Sequence, residues 1–83
     1  MTVRAKFQCK SSALDSQYKT PDGNLVKLFS FVFVPFYSPD PKHENNKYWE
    51  ATPAGELRLG ITKLAPDAFE IGREYYLDIS EAD

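Results

Sequence analysis

The sequence predicts an all-β protein, a small five-stranded antiparallel barrel with one short helical turn before the last strand. Three patterns predict it: strict alternation of apolar and polar residues over residues 2 to 10, a long apolar stretch over residues 25 to 37, and two short alternating runs near the end. Because the chain has 83 residues, we expect a single domain over residues 1 to 83.

The first predicted strand spans residues 2 to 10 and has one apolar and one polar face. The apolar face holds Val3, Ala5, Phe7 and Cys9, and the polar face holds Arg4, Lys6, Gln8 and Lys10. Residues 11 to 24, "SSALDSQYKTPDGN", are rich in turn-forming residues and predict a loop that short extensions of the flanking strands could enter. Within it, "TPDG" predicts a type I turn with Pro21 at the second position.

The second predicted strand, residues 25 to 37, includes "KLFSFVFVPFY" and is apolar on both faces. One face carries Phe29, Phe31 and Phe33, and the other carries Leu28, Val32, Val34 and Phe36. At about 3.3 Å per residue it would be roughly 40 Å long, so we expect a bend near Ser30 or before Pro35. We predict a homo-oligomer whose interface includes Phe29, Phe31 and Phe33; an internal lid and a ligand-binding face are the alternatives.

The second half of the chain predicts the other three strands. "SPDPKHENN" reads as an exposed loop, followed by a hairpin with strands at residues 47 to 52 and 56 to 62. "APDAFEIG" predicts one helical turn, and "REYYLDIS" predicts the last strand. A helical turn between the fourth and fifth strands favours an SH3-like barrel over the alternative, an OB-like barrel.

Charge and cysteine content limit the function classes. The net charge of -2 combines a basic start with an acidic end, and these ends could neutralise each other if they lie side by side. This balance gives no reason to expect bulk attraction to membranes or nucleic acid. The single cysteine, Cys9, cannot form a disulfide within the chain, and there is no signal-peptide or membrane-spanning run, so we expect an intracellular protein.

The sequence offers no catalytic, metal or cofactor motif, and we predict a protein that is not an enzyme. His43 is the only histidine, and its neighbours Asp40 and Glu44 read as a solvated loop. Glu50, next to Trp49, is the one acidic residue in apolar surroundings, and we interpret it as an outward-facing strand residue.

Exposed aromatic residues are the predicted means of binding. Rigid rings supply interface energy at low entropic cost. The predicted partner-binding residues are Tyr37, His43, Tyr48 and Trp49. The alternative is a single-stranded nucleic-acid binder, in which bases stack on a ring beside a row of cations. Its predicted contact residues are Arg4, Lys6, Lys10 and Tyr76.

Three segments carry a resemblance to small, uncharacterised phage-encoded proteins: "VRAKFQC", "NKYWEATPAGELRLGI" and "PDAFEIGREYYLDIS". The matching positions are Arg4 to Phe7, Trp49, Thr52, Pro53, Gly55, Leu57, Phe69, Gly72, Tyr75, Leu77, Asp78 and Ile79. The resemblance implies a short β-barrel accessory protein of a bacteriophage, acting in the host cytoplasm. Such a protein would bind a host protein, including one of a defence system, or sequester a small nucleotide ligand.

Overall fold

The computed structural model of the chain describes residues 2–50 and 52–83 and confirms an all-β protein. Its strands are β1 (Thr2–Lys19), β2 (Leu25–Pro35), β3 (Leu57–Ile61) and β4 (Glu74–Ser80), with a 3-10 helix at Glu44–Lys47. The strands form one antiparallel sheet in the order β3-β2-β1-β4. The sheet is open and has four strands over the described residues, so the predicted five-stranded barrel is not confirmed.

A long hairpin of β1 and β2 is the backbone of the sheet. β1 continues to Lys19, so most of the segment predicted as a loop is strand. The turn that follows is closed by hydrogen bonds from Thr20 N–H to Asn24 C=O (2.9 Å) and from Gly23 N–H to Thr20 C=O (2.9 Å). The irregularities lie in β1, as register shifts between Cys9 and Ser11 and between Leu14 and Ser16, and not in β2 where the bend was predicted.

The predicted hairpin of residues 47 to 62 does not form. Its first strand is replaced by the end of the 3-10 helix and a loop, in which residue 51 lies outside the described residues. Its second strand is confirmed as β3, but β3 pairs with β2, from Phe33 opposite Leu57 to Phe29 opposite Ile61. The sheet therefore has four strands over the described ranges, and β3 and β4 form its two edges.

The segment from Ala65 to Gly72 is a series of turns and not a helical turn. Ala68 N–H donates to Ala65 C=O (3.0 Å), and Gly72 leaves the segment at a φ of 90°. The last predicted strand is confirmed as β4, which pairs with the first half of β1 from Thr2 opposite Ser80 to Gln8 opposite Glu74. The basic start and the acidic end of the chain are therefore neighbours.

The core lies on the face of the sheet that carries the β2 phenylalanines. The buried hydrophobic side chains are those of Ala5, Phe7, Cys9, Phe31 and Phe33. Phe69, in the segment before β4, packs edge-on against Phe31 and Phe33 with ring centroids 5.1 Å apart in both cases. This contact is an internal lid, one of the alternatives that the sequence left open.

Candidate partner-binding site

The loop after β2 is fixed to the sheet by a buried amide. Asn45 Oδ1 accepts a hydrogen bond from Lys6 N–H (2.7 Å), and Asn45 Nδ2 donates to the C=O groups of Lys6 (2.7 Å) and Phe36 (2.9 Å). The side chain is fully buried. The Asn45 amide takes the position that a peptide group of β2 would occupy if β2 continued beyond Pro35. The backbone of β1 therefore keeps its hydrogen-bond partners beyond the end of β2.

Further hydrogen bonds hold the loop in one conformation. The C=O of Asp40 accepts from His43 N–H (3.0 Å) and from Asn46 Nδ2 (2.7 Å). His43 Nδ1 accepts from Asn45 N–H (3.1 Å), which caps the 3-10 helix, and its ring lies 5.4 Å from that of Phe36. His43 is therefore a structural residue of the loop.

Tyr48 and Trp49 connect the loop to the sheet on its other side. The Tyr48 hydroxyl oxygen accepts a hydrogen bond from Arg4 N–H (3.2 Å), so a third main-chain group of β1, after Lys6 N–H and Lys6 C=O, is satisfied by a side chain of the loop. The Trp49 ring packs edge-on against that of Tyr48 (5.9 Å), and its Nε1–H donates to Ala54 C=O (3.2 Å). Both rings are held in place before any partner arrives.

An open groove of about 530 Å³ lies between Tyr37 and Trp49. Its apolar walls also include Pro39 and Pro41, and its polar groups come from Ser38, Asn46, Glu50 and Thr52. The Tyr37 side chain is 57% exposed, whereas Trp49 is half-buried. We call this the Tyr37–Trp49 groove.

Two of the four predicted partner-binding residues, Tyr37 and Trp49, line this groove. Tyr48 points away from it and lines an apolar depression on the Phe face of the sheet, and His43 caps the helix. The contact roles of all four remain predictions. Sequence reasoning missed Asn45, because an asparagine in a polar loop carries no signal that it will be buried.

A second cluster unites three of the four predicted nucleic-acid contacts. Arg4 and Lys6 lie over the Tyr76 ring, 5.0 and 5.6 Å from its centroid. Both cations are paired: Arg4 binds Asp78 through two hydrogen bonds of 2.6 and 3.0 Å, and Lys6 Nζ lies 3.4 Å from Glu44 Oε1. Lys10 lies beyond this cluster, at the register shift of β1.

The pKa values in this cluster move in the directions that such pairing predicts. The hydrogen bond from Tyr76, together with Lys6, lowers the pKa of Glu44, and the Arg4 guanidinium lowers the pKa of Asp78. The same contacts raise the pKa of Lys6 and that of Arg4. The cluster is therefore held charged and mutually neutralised at pH 7.

The predicted oligomer-interface residues are in or beside the core. Phe31 is fully buried and Phe33 is 4% exposed beneath Phe69, while Phe29 is half-buried. Their interface role stays a prediction, and for Phe31 and Phe33 it requires Phe69 to move aside.

No cluster of three or more His, Cys, Asp or Glu residues with metal-binding geometry occurs within residues 2–50 and 52–83. In the same two ranges, no helix has the length and apolar character needed to cross a membrane.

Comparisons of the chain with protein-family models, with curated proteins and with solved structures each found no match. The function must therefore be argued from the site itself.

Proposed function

We propose that the chain is a non-enzymatic phage accessory protein that binds a host protein through the Tyr37–Trp49 groove, and that it counteracts host defence in the host cytoplasm. The observation that carries the binding role is the pairing of an exposed tyrosine with an anchored tryptophan across one open groove. Tyrosine and tryptophan dominate the energetics of protein interfaces. The phage origin rests on the sequence resemblance alone.

The rigidity of the loop supports this role. The loop's conformation is fixed by the buried Asn45 amide and by the Trp49 Nε1–H bond, so binding does not require the loop to become ordered. Each side chain immobilised on association costs about 0.5–1.5 kcal/mol, and a preorganised site avoids much of that cost.

The lining of the groove favours a segment of polypeptide as its occupant. Two rings and two prolines offer apolar contact, and the hydroxyl and amide groups of Ser38, Asn46 and Thr52 offer hydrogen bonds to a main chain. Glu50 is the charged side chain of the lining, so we expect a Lys or Arg in the bound segment. A small nucleotide fits this site less well, because the described residues that line the groove include no Lys or Arg to hold a phosphate.

The single-stranded nucleic-acid binder remains the second candidate, because Arg4, Lys6 and Tyr76 form one cluster. A phosphate would have to displace Asp78 from Arg4 and Glu44 from Lys6, since both cations are already paired. This competition makes the groove the better-supported site.

The test is capture of proteins from host lysate by tagged wild type, Tyr37→Ala and Tyr76→Ala. The two tyrosines are matched, with exposures of 57% and 52%. We expect Tyr37→Ala to lose the captured host protein, Tyr37→Phe to keep it in part, and Tyr76→Ala to keep it fully. Equal capture by wild type and Tyr37→Ala would overturn the proposal.

Oligonucleotide retention distinguishes the second candidate. If the wild type retains single-stranded oligonucleotide with a steep salt dependence and Tyr76→Ala abolishes it while Tyr37→Ala does not, the nucleic-acid function replaces the one proposed.

A further inference from the structure

The molecule exposes more surface than a compact monomer of its mass. Its accessible surface is 6247 Å², about 1,200 Å² more than the roughly 5,000 Å² expected for a folded 9.5 kDa monomer. Its radius of gyration is 16.0 Å, against about 12 Å for a compact domain of this length. A standard protein interface buries about 800 Å² on each partner, so the excess is of the size that one interface would remove.

Part of the excess is a projecting two-stranded arm. β4 pairs with β1 only up to Gln8, and β3 pairs with β2 only from Phe29 onward, so residues 14–28 form a hairpin with no further strand beside it. Leu14 is 50% exposed and Leu25 is 53% exposed. Two strands without a neighbour bury little apolar surface by themselves, so a covering partner would stabilise this end of the hairpin.

A second part of the excess is an apolar trough at the opposite end of β1. Two depressions of about 160 and 250 Å³ share Phe7 and Leu77, and they lie on the Phe face of the sheet. Ile79, at the outer end of the trough, is 58% exposed. Phe69 and Trp49 each line one of these two depressions, and the trough stays open between them.

The arm and the trough face the same way. Leu25 lies on the face of β2 that carries Phe29 and Phe31, because side chains two residues apart share a face. Leu14 pairs with Phe29, and Ile79 pairs with Val3, so these side chains also belong to that face. The tip of the arm, at Leu25, and the outer end of the trough, at Ile79, are separated by the length of β1, which is roughly 50 Å at about 3.3 Å per residue. They therefore cannot cover each other within one chain.

We propose that two copies of this chain stack with their Phe faces together and their β1 strands antiparallel, so that the arm of each copy covers the trough of the other. A two-fold axis near the middle of β1 places Lys19 and Leu25 of one copy over the Val3 and Ile79 end of its partner. The contact is reciprocal and closes at two chains, which removes both exposed apolar surfaces at once.

Charge supports this orientation. Lys27 lies between Leu25 and Phe29 on the arm face, and the acidic residues Glu81 and Asp83 follow Ile79 at the outer end of the trough. In the stacked pair these opposite charges approach each other, whereas arm-to-arm stacking would bring lysines together. The proposal concerns another surface than the Tyr37–Trp49 groove, and either can fail without the other.

The experiment begins with the mass in solution, measured by light scattering across a concentration series. We expect the wild type to show twice the 9.5 kDa of one chain. Leu25→Asp and Ile79→Asp should each raise the dimer dissociation constant at least tenfold. Tyr18→Asp is the matched control, because Tyr18 is 55% exposed and pairs with Val26, so it lies on the opposite face of the arm, and it should leave the dissociation constant unchanged. A wild type of one-chain mass at all concentrations would overturn the proposal.

Disulfide trapping then tests the orientation. Leu25→Cys and Ile79→Cys proteins are oxidised separately and as a mixture, with the wild type as control because its Cys9 is fully buried. We expect a cross-linked pair only in the mixture, since a disulfide needs Cα atoms within about 7 Å. Cross-linking of Leu25→Cys alone, of Ile79→Cys alone, or of neither protein even in the mixture would refute the stacked arrangement.

Discussion

Replacing Asn45 with alanine should remove a large part of the protein's stability. The change leaves Lys6 N–H and Phe36 C=O without their partner, whereas Lys6 C=O keeps its bond from Phe36 N–H (2.9 Å). Each buried group left unsatisfied costs about 1–3 kcal/mol, so Asn45→Ala should lower the free energy of unfolding by about 2–6 kcal/mol. A domain of 83 residues has about 4–12 kcal/mol in all.

The isosteric change Asn45→Asp provides a sharper test through pH. One oxygen of the new carboxylate would face the two carbonyl oxygens that Asn45 Nδ2 now bonds, and only the protonated acid could donate to them. Its pKa in the folded state should therefore lie above the unfolded value of about 3.9. Since a raised pKa gives stability that is present at low pH and lost as pH rises, this variant should become more stable relative to wild type as pH falls from 7 to 4.

Urea unfolding followed by the fluorescence of Trp49, at one fixed protein concentration, measures both effects. Asn46→Ala is the matched control, because Asn46 is half-buried and its side chain donates one hydrogen bond, to Asp40 C=O. The control should lose about 0.5–1.5 kcal/mol. A loss for Asn45→Ala no greater than that of the control, or a stability of Asn45→Asp that falls in parallel with wild type, would refute the role assigned to the buried amide.

Three further predictions concern the core and the charged cluster. Phe31→Ala should lower stability by about 3–5 kcal/mol and leave the mass in solution unchanged, because the ring is fully buried; a changed mass with unchanged stability would instead place Phe31 in an interface. The wild type should lose stability below about pH 4, where Glu44, whose pKa is lowered by Tyr76 and Lys6, becomes protonated. In thermal melts between pH 3 and 7, Glu44→Gln should lose part of this pH dependence. Equal pH dependence of the melting temperature in wild type and Glu44→Gln would contradict the role given to Glu44. The Cys9 thiol should react with a thiol reagent at least about a hundredfold more slowly in native buffer than in urea, and rapid native labelling would contradict its burial.

Periodicity was sufficient to predict all four strands in their approximate positions, although only the first half of β1 was included. The alternation from Val3 to Cys9, the Phe29–Phe31–Phe33 pattern of β2 and the Tyr75–Leu77–Ile79 pattern of β4 each mark the face of the sheet that carries the core. The second half of β1 could not be found this way, because residues 11–19 are mostly polar and exposed on both faces. They are a strand because β2 lies beside them and supplies hydrogen-bond partners.

Residues of the candidate sites could be predicted only where the alternation of side chains along a strand, or the expected exposure of a side chain, determined their position. Arg4, Lys6 and Tyr76 share a face because alternation places them there, and the expectation of exposed aromatic contact residues indicated Tyr37, at the end of the predicted second strand. The pairing of Arg4 with Asp78 depends on the register of β1 against β4, which no local pattern encodes. Charge asymmetry between the chain ends is compatible with the pairing of β1 and β4, but it predicted neither that pairing nor the partner of each side chain.

Pro35 provides one physical cause both for the early end of the pairing between β2 and β3 and for the presence of the groove. Phe36 N–H points towards β1, since it donates to Lys6 C=O, so the nitrogen at position 35 points the other way, where a Cβ added to Gly55 would come within 3.7 Å of Pro35 Cγ. Proline has no N–H to continue a ladder on that side, and the pairing of β2 with β3 accordingly ends at Phe33 and Leu57. The chain before β3 is thus released from the sheet. It is held instead by Asn45, which leaves it free to form the walls of the Tyr37–Trp49 groove.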